Sequence, residues 1–246
     1  MNADHQKVTQ YFARYHEAYL SSPRHARGED LEALIEALAL APASRVLDAA
    51  CGTGHTTVAL AARGHIATGL DLTPEMLGAA EKLAASRHVS ITWVLGDVHQ
   101  LAWPDRSFDA VTCRRAAHHF HDLSLFISEA ARVLKSGGRL GISDMTAPTN
   151  AIEGLNALER FRDDSHCAAR TANEWAQVIS PHGLDLLTLA VHGEPMTPEE
   201  WLSPVSPNSP EGQEALRFLK DPSFPQGILV NDQFIKYRII LVAVKR

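Results

Sequence analysis

The chain has 246 residues, of which 45% are hydrophobic and 21% charged, and its formal net charge is −6. This length suits one elaborated α/β domain, or one domain with a small cap, and the composition excludes a wholly disordered chain. Apolar runs are too short for a membrane span, and the mild acidity argues against a non-specific nucleic-acid binder. The polar N-terminus lacks the apolar core of a signal peptide, and the three cysteines are far apart, so we expect a cytoplasmic protein.

Hydrophobic periodicity predicts an N-terminal helical segment followed by alternating strands and helices. Residues 1–40 are expected to form a helical lid, with helices at 4–20 and 29–40 around a loop at 21–28. The main domain, 41–246, is then expected to contain strands at 45–50, 65–72, 90–95, 108–113, 138–143, 184–191 and 237–244, and helices at 56–62, 74–86, 122–135, 150–163 and 171–180. Such alternation is typical of strand–helix–strand units around a parallel sheet.

Two segments interrupt this alternation, at about 146–171 and 194–226, and the second is rich in proline. Both follow predicted strands. In an open α/β sheet the ligand crevice lies at the carboxyl ends of the strands, so we expect both insertions to cover that crevice.

The clearest motif is VLDAACGTGH, from Val46 to His55, in which a strand ends at an acid and leads through a Gly-rich turn into a helix. Glycine allows the backbone to pass close to a ligand. Thr57 stands where the dinucleotide fingerprint has Gly or Ala, and Asp48 would repel a pyrophosphate. A ligand with a cationic amine and no phosphate therefore fits this turn better.

Acidic residues also lie at the end of the next strand and just after the third. Asp71 could accept hydrogen bonds from both ribose hydroxyls of an adenosine, the alternative being a solvated strand-end carboxylate. Asp97 could accept a hydrogen bond from an adenine amino group, with Val98 against the ring, or it could cap a helix or turn.

The runs VLDAACGTGHT, GLDLTPEML, GDVHQLAWPDRSFDAVTCRRAAHHFHD and ARVLKSGGRLGISD lie in order within residues 45–144. Together they resemble class I S-adenosylmethionine-dependent methyltransferases, more narrowly the small-molecule enzymes of the ubiquinone/menaquinone-biosynthesis type. Similarity to one bacterial branch of that family extends over nearly the whole chain. The resemblance implies a Rossmann-like α/β fold with a seven-stranded, mostly parallel sheet, an antiparallel last strand, a helical N-terminal lid and insertions after strands 5 and 6.

The resemblance also implies S-adenosylmethionine as the methyl donor and S-adenosylhomocysteine as the product. It assigns ten cofactor residues: Asp48, Gly52 and Gly54 near the methionine part, Asp71 and Leu72 at the ribose, Met76 near the adenine or ribose, Asp97 and Val98 at the adenine, and the Cys113 carbonyl with Arg114 beside the methionine part.

A weakly acidic acceptor, such as a phenol or alcohol, additionally needs a base. His118 and His119 follow the fourth strand and are the candidates, the alternative being that one packs under the cofactor and the other caps a helix. Asp144 ends the fifth strand and could orient one of them, or be a turn residue. The H-H-x-H run to His121 also resembles a metal cluster, but nothing completes a recognisable ligand set, so no metal is expected.

Five further residues are candidates for the lid and the acceptor site. Tyr15 and Tyr19 belong to an aromatic stripe that is either core or the acceptor wall, and His25 follows in the next loop. His166 and Arg170 lie in the first insertion, where they either face the substrate or belong to a solvated loop.

The sequence therefore predicts methyl transfer by in-line displacement to a small organic molecule, at oxygen or activated carbon. A nucleic-acid methyltransferase would need a basic stripe or a specific tetrad where this chain has Cys113 to Ala116, and no nucleic-acid partner is expected. Two alternatives stay open, a sensor that binds S-adenosylmethionine and a non-methylating enzyme. The protein is expected to be a monomer or a homodimer.

Overall fold

The computed structural model describes residues 3–221, 224 and 227–246. The strands are β1 (Arg45–Ala49), β2 (Ile66–Asp71), β3 (Thr92–Leu95), β4 (Phe108–Arg114), β5 (Leu134–Met145), β6 (Leu184–Met196), β7 (Leu229–Val230) and β8 (Gln233–Lys245). The helices are α1 (Ala3–Ser21), α2 (Pro23–Arg27), α3 (Glu29–Leu38), α4 (His55–Ala62), α5 (Pro74–Ser86), α6 (Leu123–Val133), α7 (Ile152–Arg162), α8 (Ala172–Ile179), α9 (Pro198–Leu202) and α10 (Pro210–Leu219), with 3₁₀ turns at Ala117–His119 and Ser180–His182.

One sheet organises the molecule, with its strands in the order β3-β2-β1-β4-β5-β8-β6. The first five strands of that order are parallel, and β8 is antiparallel to both β5 and β6. The predicted fold of seven strands with an antiparallel last strand is confirmed. An eighth strand, the two-residue β7, forms a hairpin with β8.

Helices cover both faces of the sheet, which is why its central strands are apolar on both sides. In β1, Val46 packs in a cluster with residues of α3 and α4, and Leu47 in a cluster with residues of α6 and α8. Both side chains are fully buried. The apolar run that predicted a buried strand is thus explained by this two-sided packing.

The two insertions share a separate apolar cluster. Leu155 and Leu158 of α7 pack there with Trp201 and Leu202 of α9 and with residues of α10. Met145, at the carboxyl end of β5, belongs to the same cluster, so this small cap lies beside the crevice.

Several boundaries differ from the predictions. The expected loop at 21–28 contains the short helix α2, which begins at Pro23, a residue suited to the first helical position. β6 continues to Met196, past the expected start of the second insertion at 194, because its hairpin with β8 pairs Met196 with Phe234. Pro195 is tolerated there because β6 is an edge strand. Within that insertion, residues 222–223 and 225–226 lie outside the described part.

Within the described residues, no helix has the length and apolar character needed to cross a membrane.

Candidate active site

The turn between β1 and α4 forms the floor of a deep cleft. Gly52 and Gly54 have φ angles of 54° and 80°, in the region that favours glycine. A Cβ on Gly54 would lie 2.8 Å from Trp93 and 2.9 Å from the Cβ of Ala80, so this position is closed to larger residues. At Gly52 the corresponding space is open, and Gly52 lines the cleft.

Asp48 is the buried anion of the floor. Its carboxylate accepts hydrogen bonds from the hydroxyls of Thr57 at 2.6 Å and Thr112 at 2.9 Å. Burial raises the pKa of Asp48 to about 6, although both hydroxyls oppose the shift. A cationic ligand in the cleft would favour the ionised carboxylate.

Asp71 ends β2 and points into the same cleft. One carboxylate oxygen accepts from the Gly52 N–H at 2.8 Å, and the other from the Thr73 N–H at 2.9 Å. Because each oxygen has a second lone pair, both remain able to accept from a ligand hydroxyl. Burial raises the pKa of this carboxyl.

Asp97 lies at the other end of the cleft, held in place by His99. Its Oδ1 accepts from the main-chain N–H of His99 at 2.9 Å and lies 2.7 Å from Nδ1 of that residue. Burial raises the pKa of Asp97, but these hydrogen bonds outweigh it and the net shift is downward. Val98 and Met76 are buried beside it and supply apolar walls.

The cleft has about 930 Å³ of empty space, its open mouth included. It brings together eight of the ten predicted cofactor residues, namely Asp48, Gly52, Asp71, Leu72, Met76, Asp97, Val98 and Arg114. Gly54 belongs to the turn but packs against Trp93 and Ala80, and Cys113 is fully buried in β4. Neither residue lines the cleft. Three carboxylates spaced along the cleft, with apolar walls at Met76 and Val98 and free space at Gly52, fit the amine, ribose and adenine of S-adenosylmethionine.

Arg114 acts as a clamp in the cleft wall. Its guanidinium donates to the Thr56 hydroxyl at 2.9 Å, to Asp30 at 3.1 Å and to the His25 carbonyl at 2.6 Å. Arg115 also binds Asp30, through two hydrogen bonds. Both side chains are almost fully buried, so this Arg-Arg pair offers no basic stripe to solvent.

His118 and Asp144 form a buried pair. Nδ1 of His118 lies 2.5 Å from Oδ1 of Asp144, and Oδ2 accepts from the His118 main-chain N–H at 2.9 Å. An ionised carboxylate only accepts, so Nδ1 carries a proton; when the ring is neutral, its remaining lone pair is on Nε2. Burial raises the pKa of Asp144, but His118 outweighs that effect and the net shift is downward.

His119 has a different environment. Its Nδ1 lies 3.2 Å from the Ser165 carbonyl oxygen and 3.1 Å from the Ser165 hydroxyl, which itself donates to Asp163. Nδ1 is therefore the protonated nitrogen, and Nε2 lies 3.9 Å from Asp163. Burial, together with the neighbouring His118, lowers the pKa of His119 to about 4.

A second chamber, with about 760 Å³ of empty space that includes its open mouth, adjoins the cofactor cleft. Tyr19, His25, Arg115 and His119 line both spaces and form their shared wall. The remaining lining residues of the second chamber include His118, Met145, Arg162, Asp163, Trp201, Lys236 and Arg238.

The other predicted acceptor residues lie elsewhere. Tyr15 lines neither space and packs against the ring of Tyr11 at 4.9 Å, while Phe12 of the same helix lines the cleft. His166 is buried, with Nε2 2.8 Å from the Asn156 amide oxygen, and burial lowers its pKa to about 3. Arg170 donates to the Ala168 carbonyl at 3.0 Å and also lies outside both spaces.

The H-H-x-H run does not form a cluster of its own. Of its three histidines, only the exposed His121 joins a group of possible metal ligands in the described part of the chain. The other members are His5 of α1 and His99, and the ligand atoms of all three lie within 4.8 Å of one another. The sequence analysis missed this group because His5 and His99 are far apart in the chain.

Residues 47–142 match the family model for the methyltransferase domain. Over 194 residues the chain is 34% identical to the uncharacterized methyltransferase YcgJ of Bacillus subtilis, an alignment that covers 78% of this chain and 77% of YcgJ. The chain belongs to the class I S-adenosylmethionine-dependent methyltransferases. S-adenosylmethionine is its methyl donor, and the resemblance inferred from the motifs is confirmed.

Two further comparisons support this methyltransferase assignment. The crystal structure of B. subtilis YcgJ matches the structure of this chain with a TM-score of 0.80 and 29% identity. The match covers 88% of this chain and 98% of YcgJ. A demethylmenaquinone methyltransferase of Deinococcus radiodurans is 39% identical over 130 residues, which cover 52% of this methyltransferase and 54% of that enzyme.

Proposed function

We propose that this methyltransferase methylates a small organic molecule in the second chamber, at an oxygen or an activated carbon, with His118 as general base. The observation that carries the proposal is the position of the His118–Asp144 pair. His118 lines a chamber that shares a wall with the cofactor cleft, and because its Nδ1 is hydrogen-bonded to Asp144, Nε2 is the nitrogen of this ring that can accept a proton.

In this proposal the cofactor occupies the cleft along its carboxylates. Asp48 faces the cationic methionine part, Asp71 accepts from the ribose hydroxyls, and Asp97 accepts from the adenine amino group. When bound, S-adenosylmethionine supplies an electrophilic methyl group for in-line displacement. Alignment of donor and acceptor by the two spaces can account for about 7–11 kcal/mol of the barrier.

His118 would take the acceptor's proton on Nε2 as the acceptor atom bonds to the methyl carbon. Asp144 holds the ring through Nδ1 and stabilises the imidazolium that results. His119 suits this task less well, because a pKa of about 4 makes it a weak base at neutral pH. His119 instead contributes to the wall between cofactor and acceptor.

We also assign residues 1–40 the role of a lid. Val8, Phe12 and Tyr19 of α1 line the cofactor cleft opposite the strand ends that carry Asp48 and Asp71. A helix in this position excludes water from the sulfonium, which helps a reaction in which charge disperses. Residues 1–2 of this segment lie outside the described part.

The test follows a labelled methyl group from S-adenosylmethionine into a bacterial metabolite extract. We expect labelled product with the wild-type protein and a loss of about 10²-fold or more with His118→Ala, the usual contribution of a general base. His182→Ala, a histidine whose ring lies 3.0 Å from the Ser124 hydroxyl near the surface, serves as the matched control. Undiminished labelling with His118→Ala would refute the base assignment, and an absence of labelling with wild type would refute methyl transfer to metabolites.

A further inference from the structure

The second chamber is lined by a set of basic residues that the proposed reaction does not use. We call Arg115, Arg162, Lys236 and Arg238 the basic floor. Lys236 and Arg238 occupy alternate positions of β8, and alternate residues of a strand point to the same face. The floor thus combines side chains from the end of β4, from α7 and from β8 in a single chamber.

We propose that the methyl acceptor carries an anionic group, a carboxylate or a phosphate, that binds on the basic floor through Lys236 and Arg238. This inference rests on the proposed function, since it names the class of molecule that the second chamber accepts.

The charges behind the floor leave its cations in excess. Asp30 is a single buried carboxylate shared by three guanidinium groups: Arg115 at 3.0 Å, Arg114 at 3.1 Å and Arg238 at 3.9 Å. Although burial opposes the shift, these groups hold the pKa of Asp30 far below its usual range. One carboxylate cannot neutralise three guanidinium groups, so Arg238 is only partly compensated.

The other two floor residues differ in their partners. Arg162 forms a close ion pair with Glu159, whose second oxygen accepts from the indole N–H of Trp201 at 3.0 Å. Lys236 forms no ion pair within 4.0 Å among the described residues, and Glu159, the carboxylate that acts on it electrostatically, is already paired with Arg162. Asp163, the buried carboxylate of the chamber, already accepts from Ser165.

The chamber mouth does not remove this excess. Arg24 lies 3.9 Å from both Glu194 and Glu200, and each of these carboxylates is 56% exposed, so water screens them. Inside the chamber, a desolvated cation without an anion is costly, and an anionic ligand would remove that cost.

The surroundings of Lys236 and Arg238 favour the uncharged forms of both groups. Burial and the neighbouring Arg238 lower the pKa of Lys236 well below its usual value. Burial, with Arg115, lowers the pKa of Arg238 to about 9. A bound carboxylate or phosphate would favour the charged forms of both groups, and a neutral ligand would not.

The rest of the chamber suits an organic body attached to that group. Met145, Trp201 and Pro204 supply apolar surface, and His118 lines the same chamber. An acceptor anchored by its anionic end would therefore lie with another part beside the proposed base and the shared wall.

The binding test uses three probes that each carry one phenyl ring and differ in charge. Benzoate, phenyl phosphate and neutral benzyl alcohol are titrated calorimetrically into the protein saturated with S-adenosylhomocysteine, at constant ionic strength. We expect benzoate or phenyl phosphate to bind and benzyl alcohol not to bind, and the preferred anion distinguishes a carboxylate from a phosphate ligand. Equal affinities for all three probes, or no binding of any of them, would overturn the proposal.

Variants locate the site. Lys236→Gln and Arg238→Gln should each weaken binding of the anionic probe by at least about tenfold, equal to about 1.4 kcal/mol. Lys236→Arg should retain binding, and Lys220→Gln, at an exposed position of the cap, is the matched control. Undiminished S-adenosylhomocysteine binding shows that each variant is folded. Wild-type anion affinity in both Gln variants would contradict the assignment.

The labelling experiment separates this inference from the proposed function. Labelled products are divided by anion-exchange chromatography at neutral pH. Label in the retained, anionic fraction that falls with Lys236→Gln supports both proposals. Label only in the neutral fraction overturns the anionic acceptor and leaves methyl transfer intact, whereas anion binding without labelled product supports the basic floor and overturns the proposed reaction.

Discussion

The carboxylate of Asp71 accepts a hydrogen bond of 2.8 Å from the main-chain N–H of Gly52, 19 residues earlier in the chain. The residue proposed for the ribose therefore also fixes the turn proposed for the methionine part. The Asp71 side chain thus connects the two halves of the proposed cofactor site.

Asp71→Ala should weaken S-adenosylmethionine binding by at least about tenfold, or 1.4 kcal/mol, because it removes the ribose acceptor and frees the turn. Calorimetry on the purified variant measures this loss. Asp185→Ala, which breaks only an exposed ion pair with Arg246, should bind like wild type. An unchanged affinity for Asp71→Ala would show that the ribose lies elsewhere.

Cofactor affinity should fall as the pH drops through about 6. Without a ligand the pKa of Asp48 is about 6, and a cationic ligand favours the ionised carboxylate. Above this pH the carboxylate is already ionised, whereas below it binding must release the proton, which weakens affinity. Calorimetric titrations of S-adenosylmethionine from pH 5 to 8 measure this dependence. In Asp48→Asn the slope of affinity against pH should be lost. A slope of equal size in that variant would exclude Asp48 as its source.

Asp144→Asn should lower the turnover number by roughly tenfold or more while S-adenosylmethionine affinity stays within about twofold of wild type. The amide can no longer stabilise a protonated His118 as the carboxylate does. Steady-state kinetics with labelled donor, alongside calorimetry, separate the two effects. A parallel loss of S-adenosylmethionine affinity and turnover would indicate that Asp144 has only a structural role.

Gly54→Ala should destabilise the fold by about 1–3 kcal/mol, because its Cβ would meet Trp93 and Ala80. Gly64→Ala is a close control: Gly64 has a similar φ of 83°, and nothing lies within 4 Å of its added Cβ. The free energy of unfolding in urea should fall clearly further for Gly54→Ala. Equal losses in the two variants would mean that the backbone angle, and not the contact, restricts this position.

The order and type of the main elements could be predicted because each buried strand, such as that containing Val46 and Leu47, has a local apolar signature. Asp48, Asp71 and Asp97 could likewise be found, because each lies in a short run of consecutive residues at or just after a predicted strand. These features depend on near neighbours in the chain, which a single sequence displays directly.

Other features depend on distant pairing and could not be found this way. Lys236 lies before the strand expected at 237–244, and it belongs to β8 because that strand begins at Gln233 and pairs with β6 as far as Phe234 and Met196. Asp30 gives no local sign of the three arginines that it binds. Phe12, and not Tyr15, lines the cofactor cleft, a choice set by how α1 lies on the rest of the molecule.

The wall shared by the two chambers has one more consequence. Tyr19, His25 and His119 each line both the cofactor cleft and the second chamber. Any displacement of these side chains by one ligand alters the surface offered to its partner. The two binding equilibria are then coupled, and by linkage the factor by which S-adenosylmethionine changes acceptor affinity equals the factor by which the acceptor changes affinity for S-adenosylmethionine.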